Sequence, residues 1–298
     1  MTTSKPISIL FNAAHNEEVV LQEPELSSLC LLLEKNGMKT ASLETPITLE
    51  ELTNFQVVVL GNPRESKLTS KEIKALQSFT ESGGGLLLIS GATIFGKGGD
   101  AARLTNLNTL ARKFHFEFSE KAISRQFEGD LSDAAAQDEM IMTVPAAQHP
   151  LAKGISHLLF TTSTSIKAED TKTHLFRAAN SSGNPTNIIA TELDEGRILA
   201  MGGATPFFND YVGINDHEVF IIQAFRWLAG LPVYDPVISL IPDSETSEVV
   251  TANEAIADLR LQLNQIEQEL AGLKKLINTS LKEIEKIVRQ FQDEKNVS

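Results

Sequence analysis

Residues able to do chemistry gather at four points of the chain. The first is Asn12-Ala13-Ala14-His15-Asn16-Glu17-Glu18, where an imidazole is followed at once by two carboxylates. Histidine beside carboxylates can hold a metal or act as a general base. No second histidine lies close in sequence, so the competing reading is a turn histidine in solvent. The second point is Gly61-Asn62-Pro63-Arg64, whose guanidinium can clamp a carboxylate. The third, Ser90 to Asp100, contains Gly96-Lys97-Gly98-Gly99, but a P-loop requires Ser or Thr directly after its lysine. Gly98 stands there, and a simple turn is the better reading. The fourth runs from Gly202 through Asp210 to Asn215.

Nucleophilic catalysis would need a serine or cysteine on a strained elbow after a buried strand. Ser90 follows such a strand, yet Gly91-Ala92-Thr93 come next, no G-x-S-x-G pattern is present and no base stands nearby in sequence. Cys30, the one cysteine, falls on an apolar helical stripe and reads as core; it has no partner for an intramolecular disulfide. His149, before Pro150, and His217, at a helix start, read as structural or solvated. No metal site and no cofactor site is read from these spacings.

The elements that must position these residues are an alternation of strands and helices. Ile7 to Phe11, Thr40 to Leu43, Val57 to Leu60, Leu86 to Ile89 and Ile198 to Met201 are short apolar runs ending at turns. Between them lie amphipathic stretches: Glu25 to Lys35, a helix capped by Thr69 or Ser70 carrying Ile73, Leu76 and Phe79, a helix from about Ala102 to Phe114, and one from about His217 to Ala229. Such alternation predicts an α/β domain with a doubly wound, mostly parallel, flavodoxin-like sheet. Between Phe116 and Thr191 the pattern becomes short β-like pieces, read as a β-rich insertion before the last core strand. In such sheets ligands bind beyond the carboxyl ends of the strands, where all four loops should meet. Asn12, His15, Asn62, Arg64, Asp100 and Asp210 are therefore the candidate ligand-binding residues.

A different texture follows residue 231. Residues 232–250 form a linker rich in proline and acid, and Thr251 with Glu254 makes a capping box opening a helix over 251–294. Ile256, Leu259, Leu263, Ile266, Leu270, Leu273, Ile277, Ile284, Ile287 and Phe291 follow alternating three- and four-residue spacing, interrupted only by Ser280. That is a coiled-coil seam of about five heptads, needing a partner helix, its own copy's or another protein's. The formal charge of −13, from 39 acidic and 26 basic residues, repels phosphate backbones and argues against nucleic acid as partner. No run approaches the roughly 18 apolar residues of a membrane span, and Met1 to Pro6 is too short and polar for a signal peptide. A cytoplasmic setting is expected.

Several blocks, in order, resemble the GIFT domain family, shared by gliding-motility ABC-transporter accessory proteins and the N-terminal region of an intraflagellar transport complex B subunit. They are Ile9-Leu10-Phe11-Asn12-Ala13, Gly61-Asn62-Pro63-Arg64-Glu65, Leu68-Thr69, Gly83 to Leu88, Gly98-Gly99-Asp100 and Asn106-Leu107-Asn108. Gly196 to Gly202, Phe208-Asn209-Asp210 and Phe225-Arg226-Trp227-Leu228 complete the set, which spans about Ser8 to Leu231. The resemblance implies a class I glutamine amidotransferase-like fold over residues 1–231 that lacks the catalytic cysteine, with scaffolding or sugar-binding roles. The segment Ala92 to Lys97 lengthens one loop relative to that pattern. Three readings follow: a non-catalytic adaptor oligomerised or docked through its coiled coil, a module binding a carbohydrate or other small polar ligand at the sheet edge, and a hydrolase using Ser90 or the His15 and Glu17 pair.

Overall fold

The structure is a computed structural model of the 298-residue chain and describes residues 6–63, 66–91, 105–123, 140–170, 174–193 and 195–233. The chain divides into two units, Met1–Ser239 and Leu240–Ser298, and every described residue belongs to the first. The coiled-coil seam lies outside the described residues.

Five strands, β1 (Ile7–Asn12), β2 (Met38–Leu43), β3 (Val57–Gly61), β4 (Gly85–Ile89) and β11 (Gly196–Met201), run parallel in the order β2-β1-β3-β4-β11. With β11 as the fifth core strand this is the flavodoxin-like order. Side chains alternate between two apolar layers, as the two-residue period of a strand requires. Ile9, Phe11, Val59, Leu87, Leu199 and Met201 face one layer with α1 (Ser27–Lys35) and α6 (His217–Leu228). Leu10, Val58, Leu60, Leu88, Ile198 and Ala200 face the other, with α3 (Ser70–Glu81) and α4 (Leu107–Ala111). Two short helices, α2 (Leu49–Leu52) and α5 (Asn209–Val212), complete the described set.

The sheet is mixed, a correction to the mostly parallel expectation. Beyond β11 it continues through β10 (Thr186–Leu193), β9 (His174–Ala178), β6 (Ile141–Pro145) and β7 (Leu158–Phe160), all joined antiparallel. The β-rich insertion thus extends the core sheet rather than forming a separate module. The cause is local: Leu193 and Gly196 are paired across a tight turn, and a hairpin can only be antiparallel. Two further strands, β5 (Phe116–Ala122) and β8 (Thr164–Ala168), make a small antiparallel sheet of their own. Asn108 on α4 lies along the outer edge of β5; its Nδ2 donates to the Phe118 carbonyl at 2.9 Å, and its Oδ1 accepts the Phe118 N–H at 2.8 Å.

The helix expected from about Ala102 to Phe114 is shorter than that among the described residues. Regular α-helix begins at Leu107, and residues Arg112–Phe114 tighten into a 3₁₀ turn ended by His115 at φ 62°. Thr105 Oγ1 accepts the Leu107 N–H and Asn106 Nδ2 donates to the Leu68 carbonyl, local bonds that compete with a helical turn.

Two glycines let the helices approach the sheet. A Cβ at Gly85 would come within 2.3 Å of the Leu228 carbonyl oxygen of α6, and one at Gly196 within 1.9 Å of the Thr80 carbonyl oxygen of α3. Gly196→Ala forces α3 away from the sheet, with an expected loss of about 3 kcal/mol, readable in a urea titration of the full chain. A variant as stable as wild type would show that this approach is not tight.

A buried polar cluster at the switch point

Connections out of β1 and β3 leave toward opposite faces, α1 on one and α3 on the other, so the carboxyl ends of these neighbours flank the topological switch point. Asn12 ends β1, and Asn62 follows β3. Asn16 and Asn62 turn the chain with φ of 54° and 61°, left-handed conformations that asparagine tolerates better than most residues. The turn from β1 then folds back on β3, with the Glu18 and Val19 N–H groups both donating to the Gly61 carbonyl at 2.9 Å.

The sequence-predicted residues Asn12, His15 and Asn62 meet here, all buried: Asn12 is 0% exposed, His15 4% and Asn62 1%. The Glu17 carboxylate accepts from the Asn12 amide and, at 2.9 Å, from the His15 backbone N–H. The imidazole lies between two carboxylates. Its Nε2 is 3.2 Å from Glu72 Oε1, and its Nδ1 is 2.9 Å from Asn12 Nδ2 and 3.5 Å from Glu17 Oε1. Glu72 comes from α3, where it completes a capping box: Oε2 accepts the Thr69 N–H at 2.7 Å, while Thr69 Oγ1 accepts the Glu72 N–H at 3.3 Å. Its Oε1 also accepts the Ile47 N–H at 3.1 Å. Three segments of chain, residues 12–17, Ile47 and residues 69–72, are thus tied through one imidazole and two carboxylates.

Asn62 extends the network toward β4, with Nδ2 donating to Glu18 Oε2 at 2.5 Å and Oδ1 accepting the Gly91 N–H at 3.1 Å. Ser90 is 0% exposed, its hydroxyl has no hydrogen-bond partner among the described residues, and its carbonyl accepts from Thr164 Oγ1 at 3.0 Å. The backbone of Gly202 and Gly203 crosses Gly91 so closely that a Cβ there would lie 2.7 Å from the Gly202 carbonyl oxygen. The Thr164 carbonyl in turn covers Gly202. The strand end at Ser90 and Gly91 thus lies against Thr164 of the insertion and against the Gly202–Gly203 backbone that follows β11.

Burial alone would push the His15 pKa down, but hydrogen bonding to Glu17 and the charges of Glu17 and Glu72 outweigh it, and the value is raised above the ordinary 6.5. The Asn12 amide donor at Nδ1 favours the neutral ring; two full negative charges favour the cation and prevail. For Glu72, burial acts upward, but the Thr69 and Ile47 donors and the His15 charge bring it below 4.5. His217 shows the opposite case. Burial lowers its pKa, and as a neutral ring it donates from Nδ1 to the Tyr211 carbonyl at 2.7 Å and accepts the Leu159 N–H on Nε2 at 2.9 Å.

Of the other candidates, Asp210 is exposed on α5 and shares none of these contacts, while Arg64 and Asp100 lie outside the described residues, as does Lys97. Glu72 escaped the list of candidates, although its place three residues after Thr69 marks a capping box. That motif accounts for one carboxylate oxygen and leaves the other for a distant donor. Among the described residues no group of three or more His, Cys, Asp or Glu side chains is arranged to hold a metal ion, and no helix is long and apolar enough to cross a membrane.

Residues 8–127 match the family model of the IFT52 GIFT domain. Among solved structures, the mmIFT52 N-terminal domain aligns with a TM-score of 0.62 at 18% identity, covering 76% of this chain and 99% of that one. A cytoplasmic protein of Salmonella typhimurium LT2, STM1381, aligns with a TM-score of 0.55 at 14% identity, covering 74% and 99%. These likenesses establish a shared fold. No curated protein matches the chain.

Two variants probe the cluster. The raised His15 pKa contributes stability that is complete below pH 6.5 and fades as pH rises through the folded value. The lowered Glu72 pKa contributes stability present above pH 4.5 that fades as pH falls through its folded value. The stability lost in His15→Gln should therefore be greatest between those limits, about 3 kcal/mol for stranding buried carboxylates, and smaller on either side. Urea titrations from pH 4 to 9 measure it; a pH-independent gap would remove the ionic account. Ser90→Ala, which deletes a buried hydroxyl without a partner among the described residues, should leave the unfolding free energy unchanged or raise it by up to about 1 kcal/mol, and a fluorophosphonate probe should not label wild-type Ser90.

Proposed function

We propose that residues 1–231 form a non-catalytic protein-interaction domain of the GIFT type, and that the helix read over 251–294 gathers it into an assembly, pairing with its own copies or with another coiled-coil protein. The carrying observation is the match of residues 8–127 to the IFT52 GIFT domain. The switch point supports it: the groups that would serve a ligand there, Asn12, His15 and Asn62, are buried and bonded within the chain. Thr164 Oγ1 donates to the Ser90 carbonyl and the Gly202 carbonyl lies against Gly91, close packing that favours a structural over a catalytic role for this strand end.

The assembly half rests on the seam from Ile256 to Phe291. Light scattering on the full chain should give a multiple of 32.5 kDa, or a defined complex with a helical partner. The double variant Leu263→Asp with Leu270→Asp should reduce it to the single-chain mass while leaving the thermal transition of the α/β domain in place. A wild-type chain that is monomeric and captures no helical partner would remove this half of the proposal.

A further inference from the structure

The nine-stranded sheet has two outer edges, and they differ. At the β7 edge the Leu159 N–H is taken by His217 Nε2 at 2.9 Å, and the Thr161 N–H beyond it by Thr205 Oγ1 at 3.1 Å. Side chains thus answer the backbone there, one of the ways a sheet edge is closed to other strands. The opposite edge is β2, which pairs only with β1 among the described strands. The Leu43 carbonyl accepts the Ala13 N–H at 2.8 Å and so points toward β1. Alternation along the strand turns the backbone groups of Ala41 the same way and those of Thr40 and Ser42 outward. No described residue takes up these outward groups. Gln22 Nε2 donates to Ser42 Oγ at 2.8 Å and Glu44 Oε1 at 3.1 Å, contacts that engage side chains and leave the main chain of β2 unoccupied. Thr40, Ala41 and Ser42 are half-buried and Lys39 is exposed.

Centred on Ala41, this edge is complementary to itself. With two copies of β2 turned antiparallel about that residue, Thr40 of each falls opposite Ser42 of the other, and the outward N–H and C=O groups of both pairs exchange hydrogen bonds. Ala41 then meets Ala41 in the closer position of the ladder, with Cα atoms about 4.5 Å apart. Charge favours the same arrangement. Lys39 stands near the start of the strand and Glu44 just past its end, while Glu34 and Lys35, at the end of α1, offset one another. Antiparallel pairing brings the lysine end of each copy to the glutamate end of the other, whereas an in-register parallel pair would set lysine beside lysine.

We propose that β2 pairs antiparallel with β2 of a second copy of this chain across a twofold axis at Ala41, joining two nine-stranded sheets into one. The contact is isologous and uses up the β2 edge of both copies, and the closed β7 edge offers the large sheet no further extension, so association stops at two. The pairing is short and therefore weak between free chains, and it strengthens where copies are already gathered. To that extent the inference rests on the proposed assembly; its geometry does not.

The test is cross-linking of the full chain in a Cys30→Ser background, which removes the native thiol. With diamide as oxidant, taking up the two electrons and two protons released as two thiols join, Ala41→Cys should yield disulfide-linked dimers, since the expected spacing suits that bond. Lys39→Cys should not, because its two thiols would lie about 14 Å apart along the paired strands. Thr40→Pro, added to Ala41→Cys, deletes an outward N–H while sparing the ladder to β1, and should lower the linked fraction about 10-fold with the unfolding midpoint unchanged. Should that variant unfold the domain, the contrast between positions 41 and 39 still decides. No linkage through position 41 at about 1 mM chain, equal linkage at both positions, or linkage indifferent to a folded Thr40→Pro variant would overturn the proposal. A full chain that is multimeric by light scattering yet unlinked through position 41 removes this pairing alone. Linked dimers from a chain that scatters as a monomer when dilute count against the seam alone.

Discussion

Everything in the α/β domain depends on where β11 lies. It must cross the whole insertion in sequence and still enter the sheet between β4, which it meets in parallel, and β10, which it meets antiparallel. Its side chains then supply both hydrophobic layers, Leu199 and Met201 to one and Ile198 and Ala200 to the other. Its first residue, Gly196, lies against the α3 backbone, and its neighbour Gly85 lies against α6. A strand that joins two halves of a sheet and touches a helix on each side ties the insertion to the core. That is why the insertion cannot behave as an independent module.

The core half of this design was legible in the amino-acid pattern because it is local. Runs such as Val57 to Leu60 and Leu86 to Ile89 have both faces buried, and the helix stripes carry a simple period. The antiparallel half was not, because short strands with irregular turns do not declare their neighbours, and register across long connections is a property of the folded sheet. The switch point divides along the same line. Asn12, His15 and Asn62 were visible as polar residues after buried strands. What escaped was that Glu72, supplied by a helix cap far along the chain, would meet His15.

A binding crevice in a doubly wound sheet is ordinarily left open for a guest. Here an imidazole, two asparagine amides and three carboxylates answer one another in it, and Gly202 with Thr164 close over the adjoining strand end. Charged groups removed from water in this way give rigidity and a fixed geometry more readily than reactivity. A surface that recognises partners has use for that rigidity, since it need not be ordered anew at each encounter.

Asn108 carries a consequence of a different kind. By giving its amide to both backbone groups of Phe118, it occupies a length of free strand edge that would otherwise be a template for another chain. In the proposed assembly the domain would meet its own copies at raised local concentration, where such an edge is most dangerous. The amide separates two outcomes of crowding, ordered association and runaway strand recruitment, and leaves only the first open at β5.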